Sequence, residues 1–234
     1  GRGELDLATA GDIEDRVAQA RAQLVINAAA YTAVDKAEAE EALAFRVNAQ
    51  SVAAVARAAQ HMGARLVQVS TDYVFDGAKG APYLPGDPAA PLGVYGRSKR
   101  QGEVEALAEC QDCLIVRTAW VYAEQGTNFV KTMLRLMADK PELRVIADQI
   151  GTPTYAASLA QALWALARTG HTGILHYTDS GVASWYDFAC AIQEEALALG
   201  LLKKPVPVLP IATAQYPTPA RRPLFSILDK SQSW

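Results

Sequence analysis

Three kinds of feature are scarce in this sequence, and each scarcity excludes a class of protein. The 234 residues include only 3 cysteines, too few and odd in number for a disulfide framework. No apolar run approaches the ~18 residues of a membrane span. The formal net charge of −3 comes without a basic cluster, which argues against nucleic-acid binding. We therefore expect a cytoplasmic protein with no membrane and no nucleic-acid partner.

Residues that could ligate a metal ion are also few and badly spaced. Cys110 and Cys113 form a lone C-x-x-C pair, with no second pair to complete a zinc site. His61, His171 and His176 show no metal-ligand spacing. We predict no metal site, and the sequence leaves open whether a divalent ion is required in solution.

A glycine-rich turn of the G-x-G-x-x-G type is absent from the sequence. In dinucleotide-binding sheets this turn joins the first strand to a helix whose N-terminus holds the pyrophosphate. Gly1 and Gly3 lack a preceding strand, and Gly77 and Gly80 lie in a polar loop. We therefore expect that the chain begins after a first βα unit of ~30 residues, and that without this unit it binds a dinucleotide poorly.

Strand and helix patterns alternate along the rest of the chain. Half of the residues are hydrophobic, enough for a core of ordinary size. Such alternation predicts a doubly wound α/β fold of Rossmann type with a mainly parallel sheet. Six prolines between 204 and 223 predict irregular structure there, with at most a short strand near 206–211. Strands are predicted over 24–28, 65–70, 113–117, 143–147 and 173–177, and helices over 37–62, from 95, and over 128–138, 156–168 and 186–199.

Three polar segments stand where a predicted strand or loop ends. They are Ser70–Asp72, Tyr95–Lys99 and Arg117–Trp120. In an open parallel sheet, ligands bind outside the carboxyl ends of the strands, so these segments are expected to converge on a site. A tyrosine and a lysine four apart share a helix face, and the ammonium can lower the pKa of the phenol. The pattern predicts a carbonyl reductase.

Each of these residues also has an ordinary structural interpretation. Thr71 alone would more often be a turn or cap residue after a strand. Tyr95 and Lys99 alone would more often be a solvated pair on a helix. Trp120 alone would more often belong to the core. The functional interpretation depends on the segments occurring together.

Together, the segments resemble the dTDP-4-dehydrorhamnose reductase family of extended short-chain dehydrogenases/reductases. The resemblance runs nearly from end to end, and the amino end, where the glycine-rich turn is missing, departs from it. The matching segments are Gly3–Leu7, Asn27–Glu38, Ser70–Gly77, Tyr95–Lys99, Arg117–Tyr122, Gly126–Phe129, Asp148–Thr154 and Arg222–Pro223.

The resemblance implies a chemical role for each residue of the polar segments. NADPH or NADH would deliver hydride to the 4-keto group of a dTDP-sugar, and Tyr95 would protonate the oxygen. Lys99 would lower the pKa of that phenol and bind the nicotinamide ribose. Thr71 would donate a hydrogen bond to the same oxygen. Trp120 would offer its ring face to the deoxysugar.

Further positions follow from the resemblance alone. Asp6 and Leu7 resemble a pair that flanks the adenine, and Ala28, Ala29, Ala30 and Tyr31 resemble a loop that passes under the cofactor. Asn128 and Arg222 are predicted to reach the diphosphate of the substrate. We predict a single NAD(P)-binding domain over 1–234, with the elements of a small substrate lobe mainly within 148–234. The resemblance also allows a homodimer.

Two alternative functions remain open at this point. The first keeps the chemistry and changes the substrate, giving another nucleotide-sugar reductase or an epimerase. The second is a non-catalytic regulatory subunit resembling the β subunit of methionine adenosyltransferase. An intact Thr71, Tyr95 and Lys99 set favours catalysis, whereas the missing glycine-rich turn favours the regulatory role.

Overall fold

The structure is a computed structural model that describes residues 5–9 and 11–233. Strands and helices alternate through most of the described chain. The helices are α1 (Ile13–Gln19), α2 (Val34–Ala37), α3 (Glu41–Phe45), α4 (Ser51–Met62), α5 (Val94–Glu109), α6 (Phe129–Asp139), α7 (Ala156–Ala167) and α8 (Trp185–Ala198). The strands are β1 (Leu24–Asn27), β2 (Arg65–Thr71), β3 (Cys113–Thr118), β4 (Val121–Tyr122), β5 (Leu143–Ile146), β6 (Ile150–Gly151), β7 (Thr154–Tyr155), β8 (Gly173–His176), β9 (Ala183–Ser184) and β10 (Val208–Ile211).

The main sheet has four parallel strands in the order β1-β2-β3-β8. Helices cover both of its faces because successive strand residues point to opposite sides. Leu66 and Ile115 pack with residues of α4 and α5, whereas Val67, Leu114 and Val116 pack with residues of α7. Every residue of β3 is buried, as expected for a strand between two helical layers. The predicted doubly wound, mainly parallel α/β fold is confirmed.

The segment predicted as one helix over 37–62 is divided in the structure. It contains α2, α3, a π-helical turn over Arg46–Gln50, and α4, which ends at Gly63 with φ +63°. In the π-helical turn, Asn48 accepts a hydrogen bond from the Tyr31 backbone N–H and donates to the Tyr31 carbonyl and to the Ser98 hydroxyl. The single-helix prediction is wrong: the chain breaks at 38–40, where Glu38 accepts a hydrogen bond from the Val94 N–H, and the buried Asn48 amide holds the π-helical turn against the loop after β1 and against α5.

A second hydrophobic cluster lies outside the main sheet. It is formed by side chains of α6, β5, α8 and the segment up to β10, and β5 pairs in parallel with β10. The strand near 206–211 therefore exists in the proline-rich region. The cluster draws on residues from Phe129 to Val208, and the assignment of a substrate lobe mainly to 148–234 stays a prediction.

Two expectations from the sequence concern the amino-terminal segment and membrane-spanning helices. The resembling segment Gly3–Leu7 lies partly outside the described residues, which begin at Leu5. Within 5–9 and 11–233, no helix is both long enough and apolar enough to cross a membrane.

Candidate active site

A cavity of about 630 Å³ opens at the carboxyl ends of the main-sheet strands. Four predicted site residues from three separate segments line it, namely Thr71 at the end of β2, Tyr95 and Lys99 on α5, and Trp120 after β3. Ala28 and Ala30, which follow β1, line it as well. The parallel order of the strands brings these segments together because all their carboxyl ends meet at one edge.

Tyr95 carries its proton at neutral pH. Burial raises the pKa of its phenol to about 12, a hydrogen bond with the Thr71 hydroxyl acts in the opposite direction, and the negative charge of Asp72 raises it further. The ring also makes an edge contact with Tyr73, with centroids 5.6 Å apart. A protonated phenol beside a second hydroxyl can donate a proton to an oxygen in the cavity.

Lys99 is buried and bound to the strand beside it. Its Nζ donates a hydrogen bond to the Val69 carbonyl oxygen at 2.7 Å. Burial lowers the pKa of the ammonium to about 8, while the charge of Glu103 opposes this shift. Burial is the largest influence on the pKa of Tyr95 in this structure, and the lowering of that pKa by Lys99 stays a prediction.

The Thr71 side chain caps a turn and also lines the cavity. Its Oγ1 accepts a hydrogen bond from the Tyr73 N–H at 3.2 Å, which caps the 3₁₀ turn over Asp72–Val74. The same hydroxyl donates to Asp72 Oδ1 at 3.0 Å. Burial raises the pKa of that carboxyl to about 6, and hydrogen bonds from Ser226 and Thr71 oppose the shift. The cap holds the Thr71 hydroxyl at the cavity wall.

Trp120 is held between two other residues. Its ring stacks on Trp185, with centroids 3.5 Å apart and planes 7° from parallel. Gly151 lies against the ring so closely that an added Cβ would stand 2.7 Å from it. Trp120 also has a φ of +49°, which is strained for a bulky residue. Packing of the sugar on Trp120 stays a prediction. Trp185 lines the cavity as well, next to Trp120.

Sequence reasoning missed Trp185. The only signal was an aromatic residue at the start of a predicted helix, directly after Ser184. In the structure, Ser184 and Asp187 form a reciprocal capping box that fixes the first turn of α8. The capped turn holds the Trp185 ring against Trp120.

A second cavity, of about 360 Å³, adjoins the first. Asp6, Leu7 and Ala29 line the second cavity, and Ala30 lines both. Asp6 Oδ1 accepts a hydrogen bond from the Ala8 N–H, which fixes this turn. The small side chains between the cavities let the backbone approach a ligand closely. The two cavities thus have Ala30 in common in their walls.

Tyr31 is placed differently from the alanines before it. Its hydroxyl donates a hydrogen bond to Glu40 Oε2 at 2.6 Å, and this bond raises the pKa of the phenol to about 12. Its ring packs in a small cluster that includes Val94 and Tyr95. Tyr31 is not among the described residues that line either cavity. A cofactor-binding role for its side chain stays a prediction.

Asn128 and Arg222 also lie outside the 630 Å³ cavity. Asn128 caps α6, since its Oδ1 accepts from the Lys131 N–H at 3.1 Å. Both terminal nitrogens of Arg222 donate to the Asp35 carboxylate, at 3.0 and 2.8 Å. Arg222 lines a separate cavity of about 570 Å³. The structure does not bring these two side chains to the cavity lined by Thr71, Tyr95 and Lys99, and their binding of diphosphate stays a prediction.

A metal site needs several ligating side chains close together. Within the described residues, no group of three or more histidine, cysteine or acidic side chains is arranged to hold a metal ion. Cys113 is buried, and burial raises the pKa of its thiol to about 12.

The sequence matches the family described as RmlD substrate binding domain over residues 1–233. It is 44% identical over 232 residues to a dTDP-4-dehydrorhamnose reductase of Aggregatibacter actinomycetemcomitans, covering 97% of this chain and 79% of that protein. It is 47% identical over 231 residues to a dTDP-4-dehydrorhamnose reductase of Mycobacterium tuberculosis strain H37Rv, covering 94% of this chain and 74% of that protein.

Solved structures give the same result at the level of the fold. A dTDP-4-dehydrorhamnose reductase from Bacillus anthracis, in complex with NADP, superposes with a TM-score of 0.92 at 39% identity, covering 98% of this chain and 80% of that one. A second, from Clostridium acetobutylicum, superposes with a TM-score of 0.91 at 39% identity, covering 97% and 79%.

Proposed function

The chain belongs to the dTDP-4-dehydrorhamnose reductase family, and we propose that it reduces the 4-keto group of dTDP-4-dehydro-β-L-rhamnose to give dTDP-L-rhamnose. The observation that carries this proposal is the convergence of Thr71, Tyr95 and Lys99 on one cavity. A regulatory subunit would not need a proton donor, a second hydroxyl and an ammonium around the same space.

The side chains of the cavity support a proton-transfer role. As hydride adds to C4, negative charge develops on the ketone oxygen. Tyr95 donates its proton to that oxygen, and its high pKa keeps the proton available at neutral pH. The Thr71 hydroxyl donates a hydrogen bond to the same oxygen while the charge develops. Lys99 places a positive charge behind both groups.

The cofactor proposed for the reaction is NADPH or NADH. When bound, it supplies the hydride. The two adjoining cavities fit its two ends: Lys99, Ala28 and Ala30 would hold the nicotinamide end, and Asp6 and Leu7 would flank the adenine end. The small side chains of Ala28, Ala29 and Ala30 support this fit, because they leave the backbone of that segment accessible to a ligand.

The nucleotide part of the substrate is proposed to lie near Arg222. The guanidinium is half-buried and bonded to Asp35, so it is already oriented before a ligand arrives. A planar guanidinium suits the oxygens of a diphosphate. Asn128, which caps α6, would present the N-terminus of that helix to the same group.

We also propose a cytoplasmic location and a homodimeric state. Buried, unpaired cysteines such as Cys110 and Cys113 are typical of a reducing compartment. Val104 and Leu107 are exposed apolar residues on α5, and a second copy could cover them. Sedimentation or light scattering would show a monomer if the dimer proposal is wrong.

An assay of the protein expressed from its complete reading frame tests the function. NADPH or NADH oxidation is followed with dTDP-4-dehydro-β-L-rhamnose as substrate, with Tyr95→Phe as the matched inactive variant. We expect oxidation that depends on the sugar and on Tyr95. A higher kcat/KM with another dTDP-4-keto sugar would identify that sugar as the substrate instead. No turnover with any of them would favour a regulatory role.

A further inference from the structure

The helix face that carries Tyr95 and Lys99 continues to a third polar residue, Glu103. The spacing is four residues at each step, so the three side chains lie along one face of α5. The Glu103 side chain is completely buried. A buried carboxylate is costly unless it is paired and fully hydrogen-bonded, so its surroundings need an explanation.

Glu103 accepts four hydrogen bonds from three residues. Ser70 Oγ donates to Oε1 at 2.6 Å. Arg117 donates through Nε to Oε1 and through Nη2 to Oε2, both at 2.8 Å. Arg100 Nη1 donates to Oε2 at 2.9 Å. The carboxylate therefore joins α5 to the ends of β2 and β3.

The two strand residues that Glu103 binds are direct neighbours in the sheet. Ser70 pairs with Arg117, and in the next row Thr71 pairs with Thr118. Glu103 thus holds the Ser70–Arg117 pair, which immediately precedes the pair that contains the catalytic threonine. Lys99 adds a second tie to the same strand end, through the Val69 carbonyl.

The charges around Glu103 also bear on the catalytic lysine. Arg117 is buried and has Glu103 as its carboxylate partner. His176, next to Arg117, is neutral because burial and the arginine charge lower its pKa to about 4. The Glu103 charge therefore balances buried Arg117, and it favours the charged form of Lys99.

We propose that Glu103 is a positioning residue for the reduction, locking the end of β2 onto α5 so that Thr71 and Tyr95 address the same oxygen. This inference rests on the proposed reductase function. Glu103 does not line the cavity and has no contact with substrate in the proposal. Its effect is on the relative placement of two groups from different elements, where small displacements can cost a large fraction of the rate.

Three variants test the positioning role. Glu103→Gln removes the charge, and Ser70→Ala, at a residue that also lines the cavity, removes the hydrogen bond to β2 while leaving the ion pair with Arg117. The double variant Glu103→Gln/Arg117→Met removes the whole buried pair without leaving an unpaired charge. We expect kcat to fall about tenfold in Glu103→Gln and several-fold in Ser70→Ala, with KM for the sugar and the NADPH dissociation constant within about twofold.

The double variant separates positioning from stability. We expect it to regain thermal stability relative to Glu103→Gln while kcat stays low. Recovery of kcat together with stability would mean that Glu103 only maintains the fold, and wild-type kcat in Ser70→Ala would also overturn the proposal. Glu105→Gln, on the same helix and hydrogen-bonded to the Gln101 side chain at the surface, is the matched control. All of these proteins are expressed from the complete reading frame, and an inactive wild type would instead refute the proposed function itself.

Discussion

The cavity lined by Thr71, Tyr95 and Lys99 and the surroundings of Arg222 differ in what holds their polar side chains. In the cavity, Tyr95 and Lys99 are fixed by one helix that packs against the carboxyl end of β2. Arg222 is fixed by an ion pair with Asp35, 187 residues earlier in the chain. Asn128 is occupied by capping its own helix. In the first region several side chains face one cavity, whereas in the second each side chain is held by its own hydrogen bonds or ion pair.

The difference shows which kind of motif predicts a site. Residues that follow parallel strands must meet at one edge, so Thr71 and Trp120 could be assigned to one mouth from their positions alone. No such rule places Arg222, which lies in a proline-rich segment with little regular structure. The variants below test whether the two regions also differ in function.

Loss of the proton donor should have the largest effect. Tyr95→Phe is expected to lower kcat by ~10²-fold or more, the usual contribution of a positioned acid, with the fold and NADPH binding nearly unchanged. Steady-state kinetics, circular dichroism and NADPH titration would measure these effects. Turnover like that of the wild type would remove Tyr95 from the mechanism, and the cavity would no longer differ from the Arg222 region.

Lys99→Met should affect both binding and rate. The ammonium would contact the nicotinamide ribose and also bonds the Val69 carbonyl. We expect about tenfold weaker NADPH binding, the order expected for loss of a hydrogen bond to a charged group, together with a lower kcat. Calorimetric titration measures the binding. A lower rate with unchanged affinity would show that Lys99 does not contact the cofactor.

The activity of the wild type should fall as the pH rises through about 8. Burial lowers the pKa of Lys99 to about 8, so the ammonium is charged below that pH and neutral above it. Log kcat/KM should therefore be flat below this value and decrease above it. The Lys99→Met variant should lack this descending limb. A wild-type profile that stays flat to pH 10 would contradict a requirement for charged Lys99.

The Arg222 region should show a smaller effect, and on substrate binding only. Arg222→Met is expected to raise KM for the dTDP-sugar several-fold with kcat nearly unchanged. Asp35→Asn removes the same partly exposed ion pair and should cost about 1 kcal/mol of stability or less, with a smaller rise in KM. Equal KM in both variants and the wild type would mean that Arg222 serves only the ion pair.

Much of the fold and part of the site could be predicted from the sequence. Strand positions followed from apolar runs, and the convergence of Thr71, Tyr95 and Lys99 followed from sheet topology. The division of 37–62 did not, because it depends on buried hydrogen bonds of Asn48 to residues distant in sequence. The Trp120–Trp185 stack could not be predicted either, since no local sequence pattern indicates that these two residues, 65 positions apart, come into contact.

Transfer of isotope tests the central claim most directly. NADPH carrying deuterium at the transferable C4 position is supplied with dTDP-4-dehydro-β-L-rhamnose, and the product is examined by mass spectrometry and NMR. The account predicts dTDP-L-rhamnose with one deuterium at C4 of the sugar, formed by the wild type and at least ~10²-fold more slowly by Tyr95→Phe. Absence of deuterium from the sugar, or equal rates in the two proteins, would contradict it.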